Sequence, residues 1–392
     1  MDATADASSQ VKDMLAKLVG FDTTSRNSNL QLIDFVEDYL AGFHIASRRV
    51  FSDEKDKANL FATIGPRDAA GGVVLSGHTD VVPVDGQDWH TDPFDLAEAG
   101  GRLWGRGTCD MKGFIAVALA LVPEFRALDL KRPIHLAFSY DEEVGCLGAP
   151  RLIEAMIASL PPCHAVIVGE PTDMKAVGAH RGIAAYETVI TGRPAHSSQP
   201  QEGANAIEAA ARLVGYLTAR QAEMRDNPSP VEAEFSPPFA TVNVGMIEGG
   251  TATNIIAEHC SFRWGVRSAT GGAGEELRAG LDDFAADEIL PAMRAVAPEA
   301  DVQTSLVAGT PPLEMDGGSA AAELVRTLTG QNELGSVAFA AEAGQFAEAG
   351  IPAVIMGPGS ILQAHKADEF VELSQLDECA GFLRKLANWC VG

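Results

Sequence analysis

Val73-Val74-Leu75-Ser76-Gly77-His78-Thr79-Asp80 reads as a strand that ends in chemically useful side chains. Gly71-Gly72 leads into the apolar run. A short apolar run bounded by glycine fits a strand buried on both faces. Three further runs share this character: Ile134–Ser139, residues 165–168, and residues 354–356 before Gly357-Pro358-Gly359. Helical spacing of apolar residues appears at 11–19 and 30–40, and residues 114–121 are apolar all round before Pro123. Short buried strands alternating with helices predict an α/β domain built on a mainly parallel sheet.

The pattern changes between about residues 182 and 309. Strands are expected at 186–190, 241–246, 260–266 and 301–306, with helices at 205–217 and 275–284. The order strand-helix-strand-strand-helix-strand is that of a ferredoxin-like α+β unit. The expected organisation is a catalytic domain in two segments, 1–181 and 310–392, with a smaller domain, 182–309, inserted between them.

Composition narrows the function classes. The 392 residues carry 29 Lys and Arg against 54 Asp and Glu, a formal net charge of −25. Such a surface repels phosphate backbones and anionic membranes, so neither nucleic acid nor membrane is an expected partner. No apolar run is long enough to cross a bilayer. The first residues, Met1-Asp2-Ala3-Thr4-Ala5-Asp6, have neither the basic nor the apolar segment of a signal peptide. The six cysteines form no CxxC pair and read as free thiols, so a cytoplasmic location is expected.

Most residues able to do chemistry follow predicted strands, where ligands bind in open α/β sheets. His78 and Asp80 are two apart and face the same way on an extended segment. A carboxylate beside a metal-ligating histidine fixes its tautomer, although the pair by itself also reads as a surface His next to an Asp. Asp110 follows Gly105-Arg106-Gly107 at a loop-to-helix junction, and an ordinary helix N-cap is the other reading there. Asp141-Glu142-Glu143 directly follows Ile134–Ser139. One such carboxylate can hold a metal while its neighbour takes a proton from water, or the run is a solvated acidic turn. Glu170 follows the 165–168 run, and His365 follows the Gly357-Pro358-Gly359 turn. Jointly, His78, Asp110, Glu143, Glu170 and His365 supply nitrogen and carboxylate donors without cysteine. That set suits zinc, with manganese or cobalt as substitutes.

Six segments, SGHTDVVP, GRGTCDMKG, DEEVG, GEPT, RPAHSS and QAHKADE, resemble in order the acetylornithine deacetylase / succinyl-diaminopimelate desuccinylase / carboxypeptidase family of zinc amidohydrolases. The resemblance implies two zinc ions, one held by His78 and Glu170 and the other by Glu143 and His365, with Asp110 bridging. It implies a cis peptide after Asp110. Asp80 would orient His78, and Glu142 would be the general base. In dimeric relatives, the residue matching His196 reaches into the partner's active site. A homodimer, formed through an inserted domain that also acts as a lid, is therefore expected. Asn254, in the glycine-rich loop that begins at Gly249, and Arg267 match substrate-contacting positions. The family's usual Asp-Ile-Arg-Pro is replaced by Gly265-Val266-Arg267-Ser268. The segment from Ala340 to Phe346 favours the acetylornithine-cleaving branch, which implies release of acetate from N-alpha-acetyl-ornithine in arginine biosynthesis. Glu342 would then face the cationic side chain, or serve as a helix-start acid. A desuccinylase, aminoacylase or dipeptidase would keep the same mechanism, whereas a non-catalytic dimeric binding protein would not.

Overall fold

The computed structural model describes residues 3–392, with side chains from residue 9 onward. Residue contacts divide the chain into two compact units. The first comprises residues 1–179, 313–336 and 341–392; the second comprises 180–312 and 337–340.

The first unit is organised by an eight-stranded sheet of β1 (Ser47–Phe51), β2 (Ala58–Ile64), β3 (Val73–His78), β6 (Ile134–Ser139), β7 (Ala165–Pro171), β8 (Val177–His180), β13 (Gly335–Val337) and β14 (Ala353–Gly357). Their spatial order is β1-β2-β6-β3-β7-β14-β8-β13. The four central strands, β6, β3, β7 and β14, run parallel. They are the apolar runs read from the sequence, and every residue of each is buried. The flanking pairs β1–β2, β2–β6 and β14–β8 are antiparallel. β4 (Ala97–Ala99), β5 (Arg102–Trp104) and β15 (Phe370–Glu372) form a separate three-stranded sheet. Apart from β2, which is seven residues long and almost wholly buried, these outer and satellite strands are too short or too mixed in polarity to announce themselves in the sequence.

The helix Lys112–Ala120 is buried along its whole length, which explains its apolar composition on every side. It packs across the sheet against Gly169, where an added Cβ would lie 2.0 Å from the Phe114 ring. Because the parallel strands share a direction, their carboxyl ends meet along one sheet edge. β3 ends at His78, β6 delivers the chain to Asp141-Glu142-Glu143, β7 carries Glu170, and the turn after β14 leads to His365.

The second unit contains β9 (Gly182–Thr191), β10 (Thr241–Gly249), β11 (His259–Ser268) and β12 (Asp301–Thr310) in the order β10-β11-β9-β12, antiparallel throughout. That order, with helices Ala206–Asp226 and Ala273–Phe284 in the crossovers, is the ferredoxin-like arrangement. Its core stacks Tyr186 on Trp264 at 4.6 Å between ring centres. The Trp264 indole N–H donates to Thr188 Oγ1. The second helix runs on beyond the expected end, through a wider turn at Ala285–Ile289, to Val296.

All six cysteines are free. Among the described residues, no helix is long and apolar enough to cross a membrane.

Gly169→Ala tests the close helix–sheet contact beside Glu170. The added methyl cannot fit without moving Phe114, so urea unfolding is expected to show a loss of about 1–3 kcal/mol or more.

Candidate active site

Five side chains converge at the carboxyl edge of the parallel strands. His78 Nε2 lies 3.0 Å from Asp110 Oδ1 and 3.7 Å from Glu170 Oε1. His365 Nε2 lies 3.2 Å from Asp110 Oδ2 and 2.9 Å from Glu143 Oε2. Asp110 thus turns one carboxylate oxygen to each group. Within each trio, His78–Asp110–Glu170 and Asp110–Glu143–His365, the donor atoms lie within 4.8 Å of one another. His78 is 1% exposed at its side chain and His365 is 53% exposed, so one trio is enclosed and the other opens outward.

The backbone explains how Asp110 is aimed. The Asp110–Met111 peptide is cis. The helix begins at Lys112 with Met111 in the capping position, so Asp110 is not the N-cap and its carboxylate is free to serve the cluster. Glu369 Oε1 accepts the backbone N–H groups of Cys109 and Asp110, at 2.9 and 3.1 Å. Glu369 in turn pairs with Arg106 at 2.6 Å, both side chains being 1% exposed.

Asp80 is the second organising residue. Its carboxylate accepts the N–H of Glu142 at 3.1 Å, the N–H of Glu143 at 3.3 Å and the Ser25 hydroxyl at 2.7 Å. The nearer partner of His78 Nδ1 is the Asp80 backbone carbonyl, at 2.9 Å, with the carboxylate at 3.6 Å. Asp80 therefore steadies His78 through its main chain while its carboxylate holds the turn that carries Glu142 and Glu143. Glu142 accepts a contact from the Cys146 thiol at 3.2 Å. That thiol sits four residues downstream on the same turn, and the motif reading had passed over it.

The charges are strained without a cation. Loss of solvent pushes the Glu142 and Glu170 carboxyls well above the usual range, and Glu143 to about 7. Asp110 is also desolvated, but hydrogen bonds from His365 and His78 hold it below its ordinary value. His365 is raised to about 10 by hydrogen bonding to Asp110 and then Glu143. Two buried oxygens of the cluster, Glu143 Oε1 and Glu170 Oε1, have no hydrogen-bond partner among the described residues. Orphaned carboxylate oxygens among nitrogen and oxygen donors are what a divalent cation satisfies.

Residues 74–389 match the profile of peptidase family M20/M25/M40. The chain belongs to this family. It is similar to the acetylornithine deacetylase of Myxococcus xanthus, with 36% identity over 99% of this chain and 100% of the relative. It is also similar to the acetylornithine deacetylase of Pasteurella multocida, with 33% identity over 93% of this chain and 92% of the relative. The fold matches the M20 metallo-carboxypeptidase Sso-CP2 of Sulfolobus solfataricus with a TM-score of 0.75 at 16% identity, both chains being fully covered. It also matches a dinuclear metal-binding M20 peptidase of Bacillus subtilis with a TM-score of 0.65 at 16% identity over 98% of each chain. As an M20 member, this protein is a metal-dependent amidohydrolase, and its two trios fit a dinuclear centre.

The remaining predicted residues fall in two places. Glu342 is 1% exposed beneath the cluster, accepts a long 3.5 Å hydrogen bond from Ser76 of β3 and is pushed to about 7 by burial. His196, Asn254 and Arg267 belong to the second unit. There His196 bridges to Ile255 and the Ser197 N–H donates to the Asn254 carbonyl, so the two loops are tied together. The His196 ring contacts the Ser198 hydroxyl at 2.8 Å. Arg267 is exposed near the end of β11, opposite Ile183 and Thr241. A Cβ at Gly265 would make only an ordinary 3.5 Å contact with the Ala184 carbonyl, so packing does not explain why the family's acidic residue is missing there.

Metal uptake by this M20 protein is expected to be proton-coupled. His365 in the metal-free protein keeps its proton up to about pH 10. Binding must expel that proton, so affinity rises with pH, by about tenfold per unit for one displaced proton. Calorimetry in buffers of different ionisation enthalpy measures the proton release, and a pH-independent affinity would contradict it.

Proposed function

We propose that the protein is a two-zinc deacetylase that hydrolyses N-alpha-acetyl-ornithine to ornithine and acetate, a step of arginine biosynthesis. The observation that carries this reading is the sharing of Asp110 between two ligand trios with Glu142 beside them. Similarity to curated acetylornithine deacetylases along nearly the whole chain directs the choice of substrate.

His78 and Glu170 would hold one zinc, Glu143 and His365 the other, and Asp110 both. When bound, the ions supply Lewis-acid polarisation and lower the pKa of water. Glu142 takes the proton of the attacking water as its oxygen adds to the acetyl carbon. Its elevated carboxyl pKa makes it a competent base and then a competent acid. It returns that proton to the amide nitrogen as the C–N bond breaks, leaving acetate and the free amine. Asp80 keeps Glu142 and Glu143 in register. His196 would donate a hydrogen bond to the carbonyl oxygen, where negative charge develops. Asn254 would contact the substrate, and Arg267 would pair with its α-carboxylate. Glu342 is buried with only the Ser76 and Ser139 hydroxyls, among the described residues, to answer its carboxylate, which would pair with ornithine's ammonium.

We further propose that the protein acts as a homodimer through the second unit, with His196 serving the partner's site and the unit closing as a lid. The unpaired edge of β10 exposes Met246 and Ile247, 63% and 58% accessible, which fits a surface that a second copy covers.

Ornithine release from N-alpha-acetyl-ornithine should be abolished by chelation and restored by zinc. Glu142→Gln is expected to cost at least 10²–10⁴-fold in kcat, by the usual worth of a general base (~3–5 kcal/mol), with metal content unchanged. Near-wild-type turnover of that variant would refute the base assignment. Inactivity of the zinc-loaded wild type on acetyl-ornithine, with activity on another N-acyl amino acid or dipeptide, would move the substrate.

His196→Ala and Glu142→Gln are each expected to be inactive alone. Mixed by denaturation and renaturation, they should recover about a quarter of wild-type activity, because half the dimers would be hybrid with one complete site each. No recovery from verified hybrids would show that His196 acts within its own chain or not at all.

A further inference from the structure

Beneath the outward-opening trio lies a buried network that none of the roles above uses. Its centre is the Arg106–Glu369 ion pair. Glu369 divides its carboxylate between two tasks. Oε1 receives the Cys109 and Asp110 backbone N–H groups, and Oε2 receives Arg106 Nη1. The Glu369 backbone carbonyl also accepts the Gly105 N–H at 2.9 Å, so the two loops are joined on both sides of the ion pair.

Arg106 reaches the other loop. Nη1 also donates to the Lys366 carbonyl at 3.2 Å, next to His365. Nη2 donates to Gln87 Oε1 at 2.6 Å, and Gln87 Nε2 donates to the His365 carbonyl at 3.1 Å. The guanidinium lies over the Trp89 ring, 5.0 Å from its centre, and the Trp89 indole N–H donates to the same Gln87 oxygen. His365 itself sits at φ +64 on an irregular loop with an exposed side chain. No strand or helix fixes it. Its separation from Asp110 and Glu143 is therefore set by whatever ties the loops together.

We propose that Arg106, Glu369 and Gln87 are positioning residues that set the Asp110–His365 spacing and thereby determine occupancy of the outward-opening metal position, the Asp110–Glu143–His365 trio. The enclosed trio shares Asp110, but its other two members need no such clamp. His78 ends a central strand, Glu170 lies within another, and both are buried. Guanidinium–carboxylate geometry suits the task, because one planar group can hold a carboxylate and two further acceptors at fixed angles. Partners one shell out from a metal ligand are worth about 10–100-fold in metal affinity. In this arrangement that penalty falls on one ion and not the other.

The inference rests on the two-ion reading, and the experiment separates the two. Full-length protein is stripped of metal and titrated with cobalt(II) in chelator-buffered solution, following ligand-field absorption and bound metal per chain. Wild type should take up two ions in distinguishable steps; uptake of a single ion would defeat the two-ion reading itself. In Glu369→Gln and Arg106→Met, the dissociation constant of the weaker ion should rise about 10–100-fold, with that of the tighter ion within about threefold. Excess cobalt should restore the second spectral component. Gln87→Leu removes the link to the His365 carbonyl together with the acceptor used by Arg106 Nη2 and the Trp89 indole, but leaves the Arg106–Glu369 pair in place, and should fold even where the ion-pair variants do not. It is expected to weaken the second ion alone, by a smaller factor. Wild-type affinity for both ions in these variants, with only a lowered Tm, would reduce the network to a structural ion pair. Equal weakening of both ions would equally overturn the assignment.

Discussion

Everything at this sheet edge depends on the electrostatic cost of holding Asp110, Glu143 and Glu170 together out of water. Three carboxylates brought this close repel one another, and each has lost the solvent that would stabilise its charge. Contact with these carboxylates raises His365 to about 10 and, against the opposing effect of burial, raises His78 as well, while two carboxylate oxygens have no hydrogen-bond partner among the described residues. A fold does not keep such an arrangement for stability, since apolar residues would fill the same volume at lower cost. It suits a dinuclear centre, in which divalent cations would turn the repulsion into binding energy. The surplus of acidic residues over the rest of the chain has no part in this balance, because only a handful of carboxylates take part.

The scaffold answers that cost with main-chain precision. Parallel strands bring their carboxyl ends to one edge, so residues far apart in sequence meet without long connections. Asp80 and Glu369 then act alike at two different places. Each is a buried carboxylate that receives two backbone N–H groups and so fixes the loop bearing a ligand: Asp80 the Glu142–Glu143 turn, Glu369 the Cys109–Asp110 bend. Neither faces a metal trio directly. Their chemistry is to hold the acids that do.

The second unit carries a different kind of information. Its own core is complete, with Tyr186, Trp264 and the helix residues Leu213 and Leu281 buried together. Outside that core it exposes the His196 loop, the Asn254 loop and the Arg267 side chain. Substrate choice in an amidohydrolase rests on such groups rather than on the metal cluster, since the bond being cut is the same throughout the family. The space beside β9 would admit a side chain at position 265, so the glycine there is a chemical rather than a packing difference.

Much of this was legible in the sequence, because the central strands are buried on both faces and must be apolar throughout. Once 73–75, 134–139, 165–168 and 354–356 are read as strands of one parallel sheet, the residues that follow them are obliged to meet. That was enough to gather His78, Glu143, Glu170 and His365, while Asp110 was marked by its place at a glycine-framed loop-to-helix junction. The outer strands β1, β8 and β13, the small sheet of β4, β5 and β15, and the extension to Val296 were not legible. Their residues are short, mixed in polarity or stabilised by partners distant in the chain, and local periodicity carries no record of such partners. The same reason hid the roles of Asp80 and Glu369. A carboxylate that binds backbone N–H groups leaves no mark in the sequence of the loop it holds, because every residue but proline offers the same N–H. Residue type and spacing determined which donors this protein possesses and the family to which it belongs. Only the tertiary structure decided that Asp110 divides its oxygens between two trios, that the Asp80 carboxylate holds a turn as well as lying 3.6 Å from His78 Nδ1, and that one trio is walled in by strands while the other hangs on a clamped loop.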